Sequence, residues 1–177
     1  LPRFVLGASM GGSTVIRALH QGLKVTGTIL LDPQLDILDS LMHGAKVVTG
    51  LPAPLFVLAA QAAIWQYDLP TGSHSPLRQA AALRQPILLL QDWEDPVTRS
   101  HYAQSLADQN PQVQLKKVPH IAAGDPCILD KGNWGSHVAS HPCHPAWTRQ
   151  HIATFVNDRI NGRINNRANQ RRAETSP

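Results

Sequence analysis

The chain has 177 residues, 42% of them hydrophobic and 16% charged, which suits one globular domain with a real core and excludes a wholly disordered chain. Its formal charge of +4 suggests a nucleic-acid partner until the charges are located: Arg159, Arg163, Arg167, Arg171 and Arg172, against Asp158 and Glu174, put +3 into residues 158–177. The remainder is close to neutral, so the basic character belongs to the end of the chain and no nucleic-acid partner is expected.

An apolar run ending at Leu6 suits a buried strand, and residues 12–21 place Val15, Ile16 and Leu19 at helical spacing with Gly22 as a stop. VTGTILLD (25–32) reads as a second buried strand closed by Asp32-Pro33. Residues 33–76 show no strand. Helical pieces around ILDSLMHGA and FVLAAQAAIWQ are interrupted by Pro52, Pro54, Pro70, Gly72 and Pro76, giving a small cap-like excursion. The most apolar part, 47–65, is broken by two prolines, a glycine and a glutamine. It lacks the unbroken run of roughly 20 apolar residues that crosses a bilayer, so no stable membrane span is expected.

PLRQAAALRQ (76–85) is helix-forming, and after Pro86 the run ILLLQ predicts a third buried strand ending in the acidic turn DWEDPVT. RSHYAQSLADQN predicts a helix, VQLKKV (113–118) a fourth strand, and a loop rich in Gly, Pro, Asp and His runs on to about Pro145. PAWTRQHIATFVNDRI (145–160) predicts a last amphipathic helix with Ala146, Ile152, Phe155 and Val156 inward. The domain is expected to end near residue 160, with 161–177 a solvated, basic and unstructured tail.

Strands alternating with helices imply an α/β fold whose mostly parallel sheet is covered on both faces. In such sheets the chemistry gathers at the carboxyl ends of the strands. The first strand would stand at a sheet edge, although its apolar run suits an interior position, so a neighbour is expected to be missing.

At the first strand-to-helix corner stands GASMG, residues 7–11, which matches G-x-S-x-G. In such an elbow the serine is held in a strained turn that exposes its hydroxyl, and a side chain at Gly7 or Gly11 is expected to collide with the neighbouring strand or helix. Ser9 is then the nucleophile candidate, with the Met10 amide at the helix N-terminus facing a developing oxyanion. A serine hydroxyl needs a base to take its proton and an acid to orient that base. Acid candidates are Asp95, Asp92 and Glu94 after the third strand and Asp32 after the second. For the base, His120 lies nearest to the fourth strand and His137 just ahead of the last helix. His141 and His144 cluster with Cys143 but lack the acidic ligands of a hydrolytic metal centre, so neither metal nor other cofactor is expected.

Three blocks together, FVLGASMGGS, PILLLQDWEDPVTRSHYAQSLA and GSHVASHPCHPAWTRQHIATFV, resemble the C-terminal two-thirds of a serine α/β-hydrolase, a superfamily with triad order Ser, Asp, His. They bracket nearly everything from Phe4 to Ile160. The resemblance implies Asp95 as the acid, on a turn of the form LLL-x-G-x-x-D-P-V in which Asp92 replaces the usual glycine. It implies His137 as the base, eight residues before the Pro145 that opens the last helix. Cys127 and Cys143 flank His137 and would staple its loop in an oxidising compartment, while two free thiols fit equally. Two cysteines in all leave the compartment open, with a lean to the cytoplasm.

The implied reaction is cleavage of a carboxylic ester or related small acyl substrate through an acyl-enzyme, with Leu55, Phe56, Leu58 and Trp65 expected to cover the acyl pocket. A peptidase, thioesterase or acyltransferase would use the same triad, and a non-catalytic hydrolase-like module binding an apolar ligand or partner is the rival of another class. The family fold has strands before the elbow, one of whose loops gives the second oxyanion amide. Those parts are expected from a preceding segment or a complementary chain.

Overall fold

The computed structural model describes the backbone of residues 1–174 and the side chains of residues 1–162. Four strands, β1 (Phe4–Ala8), β2 (Gly27–Leu31), β3 (Ile87–Gln91) and β4 (Val113–Lys117), form one parallel sheet in the order β1-β2-β3-β4. The helices are α1 (Met10–His20), α2 (Ile37–Thr49), α3 (Val57–Gln66), α4 (Pro76–Ala81), α5 (Ser100–Gln109), α6 (Ser140–Cys143) and α7 (Pro145–Glu174).

Side chains of successive strand residues point to opposite faces, and each face has its own core. Leu30, Ile87 and Leu89 pack with Ile16 and Leu19 of α1, Ala80 of α4, and Ala103 and Leu106 of α5. On the other face Ile29, Leu31, Leu88 and Leu90 pack with Phe155 of α7 and with Val118, Ile121, Ile128 and Ala139 from the chain after β4. Every residue of β2 and β3 is buried, as expected of inner parallel strands, whereas β1 and β4 hold the edges and are only partly covered.

Several boundaries differ from the sequence expectation. α1 begins at Met10 rather than at residue 12, immediately after Ser9. α4 stops at Ala81, well short of residue 85, because the Asn110 side chain donates to the Ala80 and Leu83 carbonyls (2.9 and 3.0 Å) and holds the chain in a turn toward β3. In α7, Phe155 is buried and Ile152 and Val156 are half-buried as expected, but Ala146 faces solvent; Trp147 and Thr148 take the inward side there. The α7 backbone runs past Ile160 to Glu174, so the expected boundary at residue 160 is not a helix end. The expectation of a solvated tail over 161–177 falls almost wholly outside the described side chains.

The loop after β4 is also more ordered than its composition suggests. Pro126–Trp134 forms 3₁₀ turns, opened by the Asp125 carboxylate accepting the Cys127 amide at 3.0 Å and broken at Gly132, and α6 follows. Cys127 and Cys143 form a disulfide across this segment. A bridge of this kind persists in oxidising compartments, against the cytoplasmic lean of the cysteine count. Among the described residues no single helix is long and apolar enough to cross a membrane.

The glycines of the corner correct one expectation. A Cβ on Gly7 would lie 2.6 Å from the Gly11 carbonyl oxygen and 2.8 Å from the Gly12 Cα, both backbone atoms that have no room to yield. A Cβ on Gly11 meets nothing within 4 Å; the second tight position is Gly12, where it would stand 2.8 Å from the Pro33 Cβ. The helix therefore crosses β1 and the start of the 33–76 excursion on Gly7 and Gly12, while Gly11 lies on the open side. Gly11→Ala is expected to leave thermal stability unchanged or raise it by up to about 1 kcal/mol, since alanine is the better helix former. Gly7→Ala and Gly12→Ala should each lower it by about 1–3 kcal/mol through overpacking. Thermal denaturation of the three variants checks the order.

Candidate active site

Ser9 sits between the end of β1 and the first residue of α1, with φ 49° and ψ −121°. A residue with a Cβ adopts that conformation at a strain of about 1–3 kcal/mol and only where its surroundings over-determine it. Here they do. Its amide donates to the Leu31 carbonyl at 3.0 Å, and its own carbonyl accepts the Gly12 and Gln34 amides at 2.9 and 3.0 Å, so β2 and the excursion clamp the corner from two sides. The Oγ is thereby presented above the carboxyl end of the sheet.

Asp95 lies in the turn after β3, and its side chain is fully buried. Its Oδ1 accepts the amides of Val97 and Thr98 at 2.7 and 2.9 Å, and its Oδ2 accepts the Thr98 hydroxyl at 2.9 Å. These donors fix the carboxylate in place. Oδ2 also stands 2.7 Å from Nδ1 of His137, and the opposite ring nitrogen, Nε2, is 2.8 Å from Ser9 Oγ. With Nδ1–H donating to the carboxylate, Nε2 is left as the acceptor for the serine proton. His137 is itself buried; the Trp134 ring lies 5.9 Å away, centroid to centroid, and Lys131 Nζ donates to the His137 carbonyl.

The structure therefore brings Ser9, Asp95 and His137 together and separates their rivals. His120 is exposed and pairs with Glu94 at 3.1 Å, out on the surface. Asp92 is turned back on its own loop, where its Oδ1 accepts the Glu94 amide at 3.0 Å. Asp32 is wholly buried and accepts the Asp92 amide at 2.7 Å. Cys143 is committed to its disulfide, so it stands apart from His141 and His144 as a free ligand. Met10 opens α1, and its amide is among the donors that a helix leaves unpaired at its N-terminus.

The four residues expected over the acyl pocket lie mostly on the surface. Leu55, Leu58 and Trp65 are exposed, and Phe56 is half-buried. The reason lies in α3, where Ala60 is the one buried residue, so a helix apolar on every side turns its large side chains outward. Trp65 borders a cavity of about 540 Å³ with Ile37, Leu38, Ile64 and Leu69, and neither Ser9 nor His137 lines it. Sequence reasoning missed Lys131 and Thr98, which support the histidine and the acid. Thr98, three residues after an aspartate in a turn, carried a readable signal, since a hydroxyl at that spacing bonds back to the carboxylate. Lys131 carried none.

No protein-family model matches the chain, and no curated protein matches it in sequence. Solved structures do match. An esterase from Pyrococcus furiosus superposes with a TM-score of 0.63 at 18% identity, over 88% of this chain and 53% of its own. A proline iminopeptidase from Mycobacterium smegmatis gives 0.55 at 16% identity, and a protein from Mycobacterium tuberculosis 0.55 at 13%, each over 88% of this chain and 65% of its own. The chain thus spans about half the length of the esterase that it resembles.

Proposed function

The chain has the α/β-hydrolase fold, and from that premise we propose that the protein is a serine hydrolase cleaving carboxylic-ester-type bonds through an acyl-enzyme. One observation carries the reading: the unbroken relay from Ser9 Oγ to His137 Nε2 (2.8 Å) and from His137 Nδ1 to Asp95 Oδ2 (2.7 Å), with Ser9 on a strained corner.

The chemistry follows from those atoms. As Ser9 Oγ bonds to the substrate carbonyl carbon, its proton passes to His137 Nε2, and the imidazolium is held by the Asp95 carboxylate. The carbonyl oxygen becomes an oxyanion beside the Met10 amide and the positive end of α1. Collapse breaks the bond to the leaving alkoxide, which takes the proton back from His137. A water then loses its proton to His137 and attacks the acyl carbon, Ser9 Oγ leaves and takes that proton back from His137, and the acid product is released. The same atoms would cleave thioester or aminoacyl substrates, and relative kcat/KM on matched ester, thioester and amide substrates separates these classes.

Labelling of the intact protein by a fluorophosphonate tests the proposal. Label is expected on Ser9 by peptide mapping, absent in Ser9→Ala and at least 10²-fold slower in His137→Ala, since the unassisted hydroxyl is a weak nucleophile. An intact, folded protein that takes up no label rules the enzyme out and leaves the non-catalytic ligand-binding module.

A further inference from the structure

We infer that Asp32 is a positioning residue for the proposed hydrolysis, a buried carboxyl that fixes the turn carrying Asp95. The inference rests on the serine-hydrolase reading.

Asp32 follows β2 directly and is fully buried. Its backbone stands at φ 41°, a strained value for a residue with a Cβ, and its amide is bonded to the Leu90 carbonyl of β3 at 2.9 Å. The side chain reaches across the sheet end. Oδ1 accepts the Asp92 amide at 2.7 Å, and Asp92 opens the turn whose fourth residue is Asp95. Val138, next after His137, is itself held at φ 51°. Lys131, whose Nζ donates to the His137 carbonyl, is a cation on which both Asp32 and Asp95 act. The charged groups that act on Asp32 are thus Asp92 and Asp95 from the turn after β3 and Lys131 from the 3₁₀ segment.

The second oxygen, Oδ2, is buried without a hydrogen-bond partner. A carboxylate with an unsatisfied oxygen in the interior is costly, and burial, followed by the neighbouring Asp95 charge, raises the Asp32 carboxyl well above the usual range. Burial thus favours the neutral carboxyl, which still accepts the Asp92 amide and holds the acid turn in register without adding negative charge beside the Asp95–His137 pair. That separates it from Asp95, whose charge must stabilise the imidazolium.

Three proteins test this: the intact wild type, Asp32→Asn and Asp32→Ala, each measured for fluorophosphonate labelling of Ser9, kcat and KM on a chromogenic ester, and the acid limb of kcat/KM. Asparagine keeps a neutral acceptor at Oδ1, so kcat should stay within a few-fold of wild type and the acid limb should not move. Alanine removes the tie, and kcat is expected to fall about 10²-fold with KM unchanged, the order that a displacement of about 1 Å produces. If Asp32→Ala does not fold, Asp32→Asn decides by itself. An asparagine variant as impaired as the alanine one, an acid limb shifted downward in it, or an alanine variant with wild-type kcat each overturns the inference while the hydrolase reading stands. Absence of label in the wild type overturns both.

Discussion

Asp95→Asn is expected to lower kcat by about 10⁴-fold with little change in KM, whereas Asp92→Asn and Glu94→Gln should each change it by less than about 10-fold. The difference follows from what each carboxylate faces. Asp95 Oδ2 accepts from His137 Nδ1 at 2.7 Å, and its Oδ1 is already taken by two backbone amides. An asparagine there would keep its carbonyl oxygen on the Val97 and Thr98 amides and turn its NH₂ toward the imidazole. The ring would then present an unprotonated Nδ1 and a protonated Nε2, which is the wrong tautomer for taking the Ser9 proton. The Asp92 Oδ1 accepts the Glu94 amide of its own turn, and Glu94 pairs with His120, so neither carboxylate meets the His137 ring. Steady-state kinetics on one ester substrate with the three variants of the intact protein decide the matter. Comparable losses in Asp92→Asn and Asp95→Asn would overturn the assignment of the acid.

Reduction of Cys127–Cys143, or the double Cys→Ser variant, is expected to cost about 3 kcal/mol of stability, the loop-entropy value for a closed loop of roughly 15 residues; the two cysteines lie 16 residues apart. Activity should fall with it. The bridge joins the start of the 3₁₀ segment to the end of α6, and His137 lies between them with its backbone carbonyl held by Lys131. Loosening that segment raises the number of positions open to the imidazole, so kcat should drop while KM holds, as for any loss of orientation in the reacting array. Thermal denaturation and ester hydrolysis with and without reductant read both effects, and thiol titration of the denatured, unreduced protein reads the bridge itself. Two titratable thiols in that sample would refute the bridge.

The order of strands and helices was legible because apolar runs of five or so residues, separated by amphipathic stretches, admit few arrangements other than a covered parallel sheet. GASMG at a strand-to-helix corner was legible for the same reason. Only glycine clears a helix crossing a strand at that distance, although the structure moves the second crowded glycine from Gly11 to Gly12. What could not be read locally was anything set by a partner distant in sequence. The early end of α4 depends on Asn110, and the ordering of the loop after β4 depends on Asp125 and on a disulfide. For the excursion, apolar composition says that α3 is buried somewhere, not against what. Its large side chains face outward.

The sequence by itself therefore determined the sheet, the corner serine and a short set of acids and histidines able to serve it, since these depend on local pattern and on residue chemistry. Only the tertiary structure decided among them. A turn of four or five residues can offer Asp92, Glu94 or Asp95, and which carboxylate points at which histidine is fixed by strand ends packed side by side. Ser9 and His137 are 128 positions apart along the chain and 2.8 Å apart in space.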